Sequence, residues 1–235
     1  MARLLKKVCR RFVETGLRQT LRHSYRRLVE EYHERRLGIH TLGCVELAEF
    51  SVSESECHDY APTDYPSFAK LMKHVPIRRN EDCFLDYGSG LGRVPIMAAR
   101  YPFKCVMGVE LSADLNAAAE RNVERARRKL KCKDVRLFAA DARRFPLPHE
   151  VTHVHFYNPF SGEVLEAVLA RIRQSLTEHP RRLLVLYNHP VHLEELWAAG
   201  IETGWLKKRD ELALTHRYVI YEASLTHVEA DKQGR

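Results

Sequence analysis

The sequence predicts an α/β fold: a doubly wound, mostly parallel seven-stranded sheet with an antiparallel edge hairpin, plus an N-terminal basic amphipathic helix. Three observations predict it. From Asp82 onward, apolar runs alternate with helix-patterned stretches, as repeated strand–helix–strand units require. The stretch LDYGSGLGR, Leu85–Arg93, places three glycines where the first apolar run hands over to the first helical one. The last two apolar runs are joined by a short turn with no helix between them, which makes them a hairpin at the sheet edge.

The elements follow in order. Residues 1–38 read as a basic helical arm. Leu17, Leu21, Tyr25, Leu28 and Tyr32 recur at one-face helical spacing, arginines fill the other faces, and Gly38 follows Arg35 and Arg36 as a stop signal. An apolar stripe of that size is expected to dock, on this chain's own core or on a second copy. Residues 39–80 read as a lid or connector. They lack periodicity through Pro66, contain Gly43 and Pro62, and end in a short helix at Ser67–His74. The core spans 81–228. Its strands are Cys83–Tyr87, Cys105–Leu111, Val135–Ala140, Val151–Tyr157, Leu183–Tyr187, Leu206–Leu212 and Tyr218–Ala223. Its helices are Leu91–Arg100, Ala113–Leu130, Glu163–Thr177 and His192–Ala199. Residues 229–235 form a tail.

Charge is unevenly spread. The chain of 235 residues carries a net +7, and residues 1–36 hold 11 Lys+Arg against 4 Asp+Glu, so the arm accounts for the whole excess. The neutral remainder advertises no polyanion partner, whereas the arm suits a homodimer contact or an anionic surface. No run is apolar enough to span a membrane, and no apolar stretch of a secretory signal follows the basic start. The six cysteines form no CxxC pair; Cys83 and Cys105 are expected as reduced core thiols of a cytoplasmic protein. His153 and His155 share a strand face and His189 and His192 flank Pro190-Val191, but no third ligand stands at a metal-binding spacing, so no metal is expected.

Glycine is costly inside regular structure. Its clustering at a strand-to-helix handover points to a ligand approached by main chain and by a helix N-terminus. The spacing is GxGxG: Gly88, Gly90 and Gly92, with Arg93 standing where the dinucleotide fingerprint GxGxxG places its last glycine. That departure weighs against an NAD-dependent dehydrogenase, which stays as an alternative.

With Asp86 two residues before Gly88, the stretch resembles the first motif, (D/E)xGxGxG, of the class I S-adenosylmethionine (SAM) dependent methyltransferases, nearest to bacterial-type members of unassigned substrate. The resemblance covers roughly residues 58–223 and implies SAM as cofactor. It implies that Asp86, Gly88, Ser89, Gly90 and Gly92 form the cofactor turn. Glu110, at the end of VMGVE and followed by Leu111, would hold the ribose hydroxyls. Asp141 and Ala142, in FAADARRF, would meet the adenine. Tyr157, Asn158, Pro159 and Phe160, in YNPFSG, would face the methyl donor and the acceptor. This stretch is similar to the (N/D)PP(Y/F) motif of amino-methylating enzymes, with one proline fewer, and more loosely to the NNF stretch of the non-SET histone-lysine methyltransferases. Tyr60 and Thr63, in HDYAPTDY, would close on the methionine end of the cofactor. The expected function is methyl transfer to an unidentified acceptor, a nitrogen for preference and possibly a protein side chain, with nucleic acid less favoured. A non-catalytic SAM-fold module recruited by its basic arm is the other alternative.

Overall fold

The computed structural model describes residues 17–42, 62–158, 162–190 and 203–225. The first sixteen residues of the arm, Tyr60, Pro159, Phe160, the expected helix at His192–Ala199 and the tail lie outside them.

Helix α1 runs Leu17–Leu37 and α2 runs Tyr65–Leu71. Strand β1 (Cys83–Tyr87) leads to α3 (Arg93–Ala98), and β2 (Cys105–Glu110) to α4 (Ala113–Ala126), which tightens into a 3-10 turn at Arg127–Lys129. Then come β3 (Val135–Ala139), β4 (Val151–Tyr157), α5 (Gly162–Glu178), β5 (Leu183–Asn188), β6 (Leu206–Ala213) and β7 (Arg217–Ala223). The seven strands lie in the order β3-β2-β1-β4-β5-β7-β6. Strands β1 to β5 pair in parallel, and β7 runs antiparallel to both β5 and β6. The order reverses direction beside β1, so the crevice beyond the ends of β1 and β4 is the place where such sheets bind ligands.

Local signals account for the helix ends. Gly38 (φ 77) stops α1, and its N–H reaches the Glu34 carbonyl at 2.7 Å. Asp64 caps α2 by accepting from the Ser67 N–H at 2.9 Å, with a proline in the first turn. Ser112 caps α4 through the Leu115 N–H. Alternation then sorts the core into two layers. Leu85, Tyr87, Val109, Val154 and Phe156 pack with α5 on one face. Phe84, Val106, Leu184 and Ile220 pack with α2, α3, the end of α4 and Leu37 on the other.

One expectation is corrected. Cys83 and Cys105 are not reduced thiols: they stand opposite each other in the β1–β2 register, Cα–Cα 4.8 Å apart, and their sulfurs are joined as a disulfide. Parallel strands in register put both side chains on one face at neighbouring positions, a pairing that a spacing of 22 residues does not disclose. Cys132 is a buried free thiol. One of the docking sites expected for α1 is excluded. Its apolar stripe does not dock on the chain's own described core, since Leu21, Tyr25, Leu28 and Tyr32 remain 58–69% exposed.

The opposite face of α1 docks instead, through charge. Arg93, only 2% exposed, sits at the first position of α3. Its guanidinium bonds Glu30 and Glu34 of α1 (the latter at 3.2 Å), the Thr41 hydroxyl at 2.6 Å and the Thr63 carbonyl at 3.2 Å, and lies 4.9 Å from the Tyr65 ring centre. Glu30 also accepts from the Tyr65 N–H, and Glu34 from the Thr41 N–H at 2.7 Å. Burial pushes the Glu30 carboxyl above its ordinary range, and Arg93 only partly offsets this. Removing one partner of such a cluster strands buried charge. Arg93→Ala is expected to lower stability by about 3–5 kcal/mol in urea unfolding, and a change within error would show that the cluster does not hold α1.

Candidate active site

The sheet brings one end of each parallel strand to a common edge. Tyr87 pairs with Val109 and Phe156, Phe156 with Tyr187, and Tyr157 with Asn188, which pairs with Tyr218. The glycine turn, Glu110, Asn158 and His189 therefore lie along that edge, with the start of β7 among them.

The turn itself answers why glycine was needed. Gly88, Gly90 and Gly92 have φ of 73°, 52° and 81°, a region that side chains disfavour. At Gly92 a Cβ would also fall 2.9 Å from the Ala119 Cβ of α4, so this glycine serves helix packing as well as chain reversal. The sequence reading missed a fourth glycine. Gly108, inside β2, admits Ser89: a Cβ there would meet the Ser89 Cβ at 2.8 Å. An isolated glycine within a strand is the available signal for such close approach.

Glu110 binds this turn from below. One carboxylate oxygen accepts from the Gly90 N–H at 2.8 Å, the other from the Ser112 N–H at 3.0 Å. The group is 6% exposed, and burial raises its pKa against the pull of the Ser112, Gly90 and Leu111 N–H groups. Glu110 thus holds the shape of the turn, and as a carboxylate it keeps acceptor capacity for a hydroxyl. Ser89 is buried with its hydroxyl unpartnered.

Asp86 is placed differently from the turn glycines. It points to the α2–α3 side of the sheet, where His155 Nδ1 lies 2.7 Å from its carboxylate; both are buried. Burial raises the Asp86 pKa, with His155 acting against it. His155 Nε2 in turn lies 3.4 Å from the Tyr218 hydroxyl. His153 meets the Pro76 carbonyl and the Thr152 hydroxyl instead. The two histidines of β4 therefore do not converge. Among the described residues the one His/Cys/Asp/Glu group with metal-like spacing is Cys83, Cys105 and Glu150, whose two sulfurs are bonded to each other.

Asp141 caps its own turn. It accepts from the Arg143 N–H at 2.9 Å and pairs with the Arg143 guanidinium at 2.8 Å, which holds its pKa below the ordinary range. Ala142 is partly buried against the core beside it. Thr63 is buried, and its carbonyl accepts from Arg93, which ties the end of the connector to the residue following the glycine turn.

On the far side of the edge, Asn158 and His189 both adopt positive φ, 39° and 54°. Such backbone is strained for side-chain-bearing residues and collects at functional positions. Asn158 Oδ1 lies 3.4 Å from the Tyr187 hydroxyl, which donates to it. The Tyr157 ring stands 5.7 Å from that of His216 and 6.4 Å from that of His189, and the two histidines are 4.6 Å apart. The His189 N–H donates to the Arg217 carbonyl at 2.8 Å, so β5 and β7 hold the pair together. Burial, then the neighbouring His189, lowers the His216 pKa. His216 escaped the sequence reading because it stands in a hairpin turn, and only the insertion of β7 beside β5 carries it to this edge.

Fold and site together define a doubly wound protein with a glycine-rich main-chain turn at its switch point. Comparison with known proteins narrows this. Residues 84–179 match the model of a methyltransferase domain family. A stretch of 63 residues is 38% identical to the Drosophila melanogaster histone-lysine N-methyltransferase, H3 lysine-79 specific; it is 26% of this chain and spans only 3% of that protein's length. Among solved structures, a SAM-dependent methyltransferase from Aquifex aeolicus superposes with a TM-score of 0.51 at 16% identity, covering 67% of this chain and 89% of that one. A geranyl diphosphate C-methyltransferase from Streptomyces coelicolor gives 0.50 at 15% identity, covering 68% and 77%. Residues 84–179 are thus similar to a methyltransferase domain, and the chain shares its fold with SAM-dependent methyltransferases.

The residues present fit that cofactor: a cradle of positive-φ glycines, a buried carboxylate at the end of the neighbouring strand and an unpartnered buried hydroxyl in the turn. Glu110→Ala is expected to weaken SAM binding by ~2–4 kcal/mol, about 30- to 1000-fold, in isothermal titration. Gly108→Ala should weaken it too, by forcing Ser89 and the turn outward; wild-type affinity in both variants would remove this turn from the cofactor site.

Proposed function

We propose that this chain transfers a methyl group from SAM to a nitrogen acceptor that enters beside Asn158, Tyr157 and the His189–His216 pair. One observation supports this reading most directly. The edge that carries the glycine turn and Glu110 also carries two strained, side-chain-bearing positions and an aromatic–histidine cluster. When bound, the cofactor supplies an electrophilic methyl on a cationic sulfur. The protein's task is then alignment and exclusion of water.

Glu110 and the turn N–H groups hold the ribose side. Asp86, buried on His155, stiffens the turn from beneath rather than meeting the ligand. Asp141 and Ala142 border the adenine, and Arg143 keeps the Asp141 carboxylate ionised and oriented. Thr63 borders the methionine end. Asn158, steadied by Tyr187, accepts a hydrogen bond from the acceptor N–H and aims its lone pair. The Tyr157 ring lines the acceptor's path. His216 takes the proton that the acceptor loses.

A protein amine fits an edge lined by the rings of Tyr157, His189 and His216 better than a polyanion does. Tritiated-methyl labelling of a cell extract, sorted into protein, RNA and small molecules, tests it: label in RNA alone would reject the protein acceptor. Titration with NAD as well as SAM separates the dehydrogenase alternative, and the absence of any transferred label with intact SAM binding would leave the non-catalytic module.

The base assignment carries a sign. A lowered His216 pKa keeps the ring neutral down through the ordinary histidine range, so the rate should hold steady and fall only below pH ~6.5. His216→Ala should remove that acid limb and lower kcat by on the order of 10²-fold, with SAM affinity retained. An unchanged pH–rate profile in His216→Ala would exclude it as the base.

A further inference from the structure

Helix α1 has two faces of opposite character. The inner one carries Glu30, Glu34 and Leu37, all buried. The outer one carries Leu21, Tyr25, Leu28 and Tyr32 at 59%, 69%, 65% and 58% exposure, four large apolar side chains in a single stripe. Scattered exposed apolar residues are ordinary, but a contiguous helical stripe marks an interaction surface.

The charges on α1 indicate what covers it. Within Leu17–Leu37 there are six arginines and three glutamates. Glu30 and Glu34 turn inward to Arg93. Glu31 is engaged by Arg27 at 3.0 Å and by Arg35 at 3.9 Å. The outward surface is therefore apolar, edged by guanidinium groups, with no carboxylate left unengaged. Arg36 reaches back to the Tyr32 hydroxyl at 3.4 Å, along the stripe. The residues before α1 add further positive charge: Arg3, Lys6, Lys7, Arg10 and Arg11 against Glu14 alone.

We propose that the outer face of α1 is a docking surface for an anionic lipid bilayer. An apolar stripe between arginines is the pattern of a helix that lies in the headgroup layer, its apolar side chains inserted and its cations among the phosphates. A second copy of this chain would set the same arginines against each other. A nucleic acid would satisfy the arginines but leave Leu21 and Leu28 in water. The inner face remains latched to Arg93 while the outer face binds, so the methyltransferase domain is held at the surface in its folded form.

The test uses the full chain, co-sedimented with phosphatidylcholine vesicles with and without phosphatidylglycerol, at low and high salt. Binding that needs phosphatidylglycerol, weakens with salt and drops at least roughly tenfold in L21E/L28E supports the proposal. L21S/L28S serves as a milder pair, and Arg35→Gln with Arg36→Gln should reduce binding to the anionic vesicles alone. Circular dichroism and SAM affinity should be unchanged in all of these. Absence of vesicle binding, or binding untouched by the stripe variants, overturns it. So does a dimer in size-exclusion chromatography that L21E/L28E dissolves, or retention by RNA with no retention by vesicles.

Discussion

A guanidinium sealed among two carboxylates, a threonine hydroxyl, a carbonyl and an aromatic ring is the constraint from which the rest of this structure follows. Arg93 is the first residue of the helix that leaves the glycine turn, and its partners come from three other stretches: α1, Thr41 just beyond it, and Thr63–Tyr65. Buried ion clusters contribute little net stability once desolvation is counted, and burial raises the Glu30 pKa against the pull of Arg93. What the cluster supplies is placement. An uncompensated guanidinium could not stay at this depth, so α1 must present its glutamates inward, and its apolar stripe is thereby turned outward.

The same economy governs the site edge. A glycine-rich turn suggests that a ligand needs the room, yet at Gly92 the room is taken by Ala119, and at Gly108 the missing side chain makes way for Ser89. The turn is shaped first by the protein's own packing and by Glu110, which accepts N–H groups from both the turn and the start of α4's cap. A cradle already fixed by internal bonds reaches its ligand without further ordering, which is the condition for alignment rather than induced closure.

How much of this was legible in the sequence varies with range. The seven strands, their order of appearance and the glycine turn follow from periodicity and local turn chemistry, which act over a few residues. Gly38, Asp64-Pro66 and Ser112 mark helix ends through their own backbones. Which face of the arm turns inward was not legible, because periodicity ranks faces by hydrophobicity alone; the pull of Arg93 on Glu30, 63 residues away, has no local trace. The Cys83–Cys105 bond needed the β1–β2 register. Asp86 belongs to the glycine motif by spacing, but what a strand-end acid faces depends on what stands across from it, and here that is His155. His216 entered the site through the placement of β7 between β5 and β6, a topological fact that no window of sequence contains.

The two-faced character of α1 bears on where the molecule can be divided. A chain trimmed to start at Ile39 would keep every strand, every turn glycine and each residue of the candidate site edge. It would also leave the Arg93 charge facing an empty trough, to be filled by water or by whatever anion the buffer provides. Its behaviour would then report on the solution's ions as much as on the fold, and a lost property would be misassigned to the missing basic charge when the cause was a missing pair of acids.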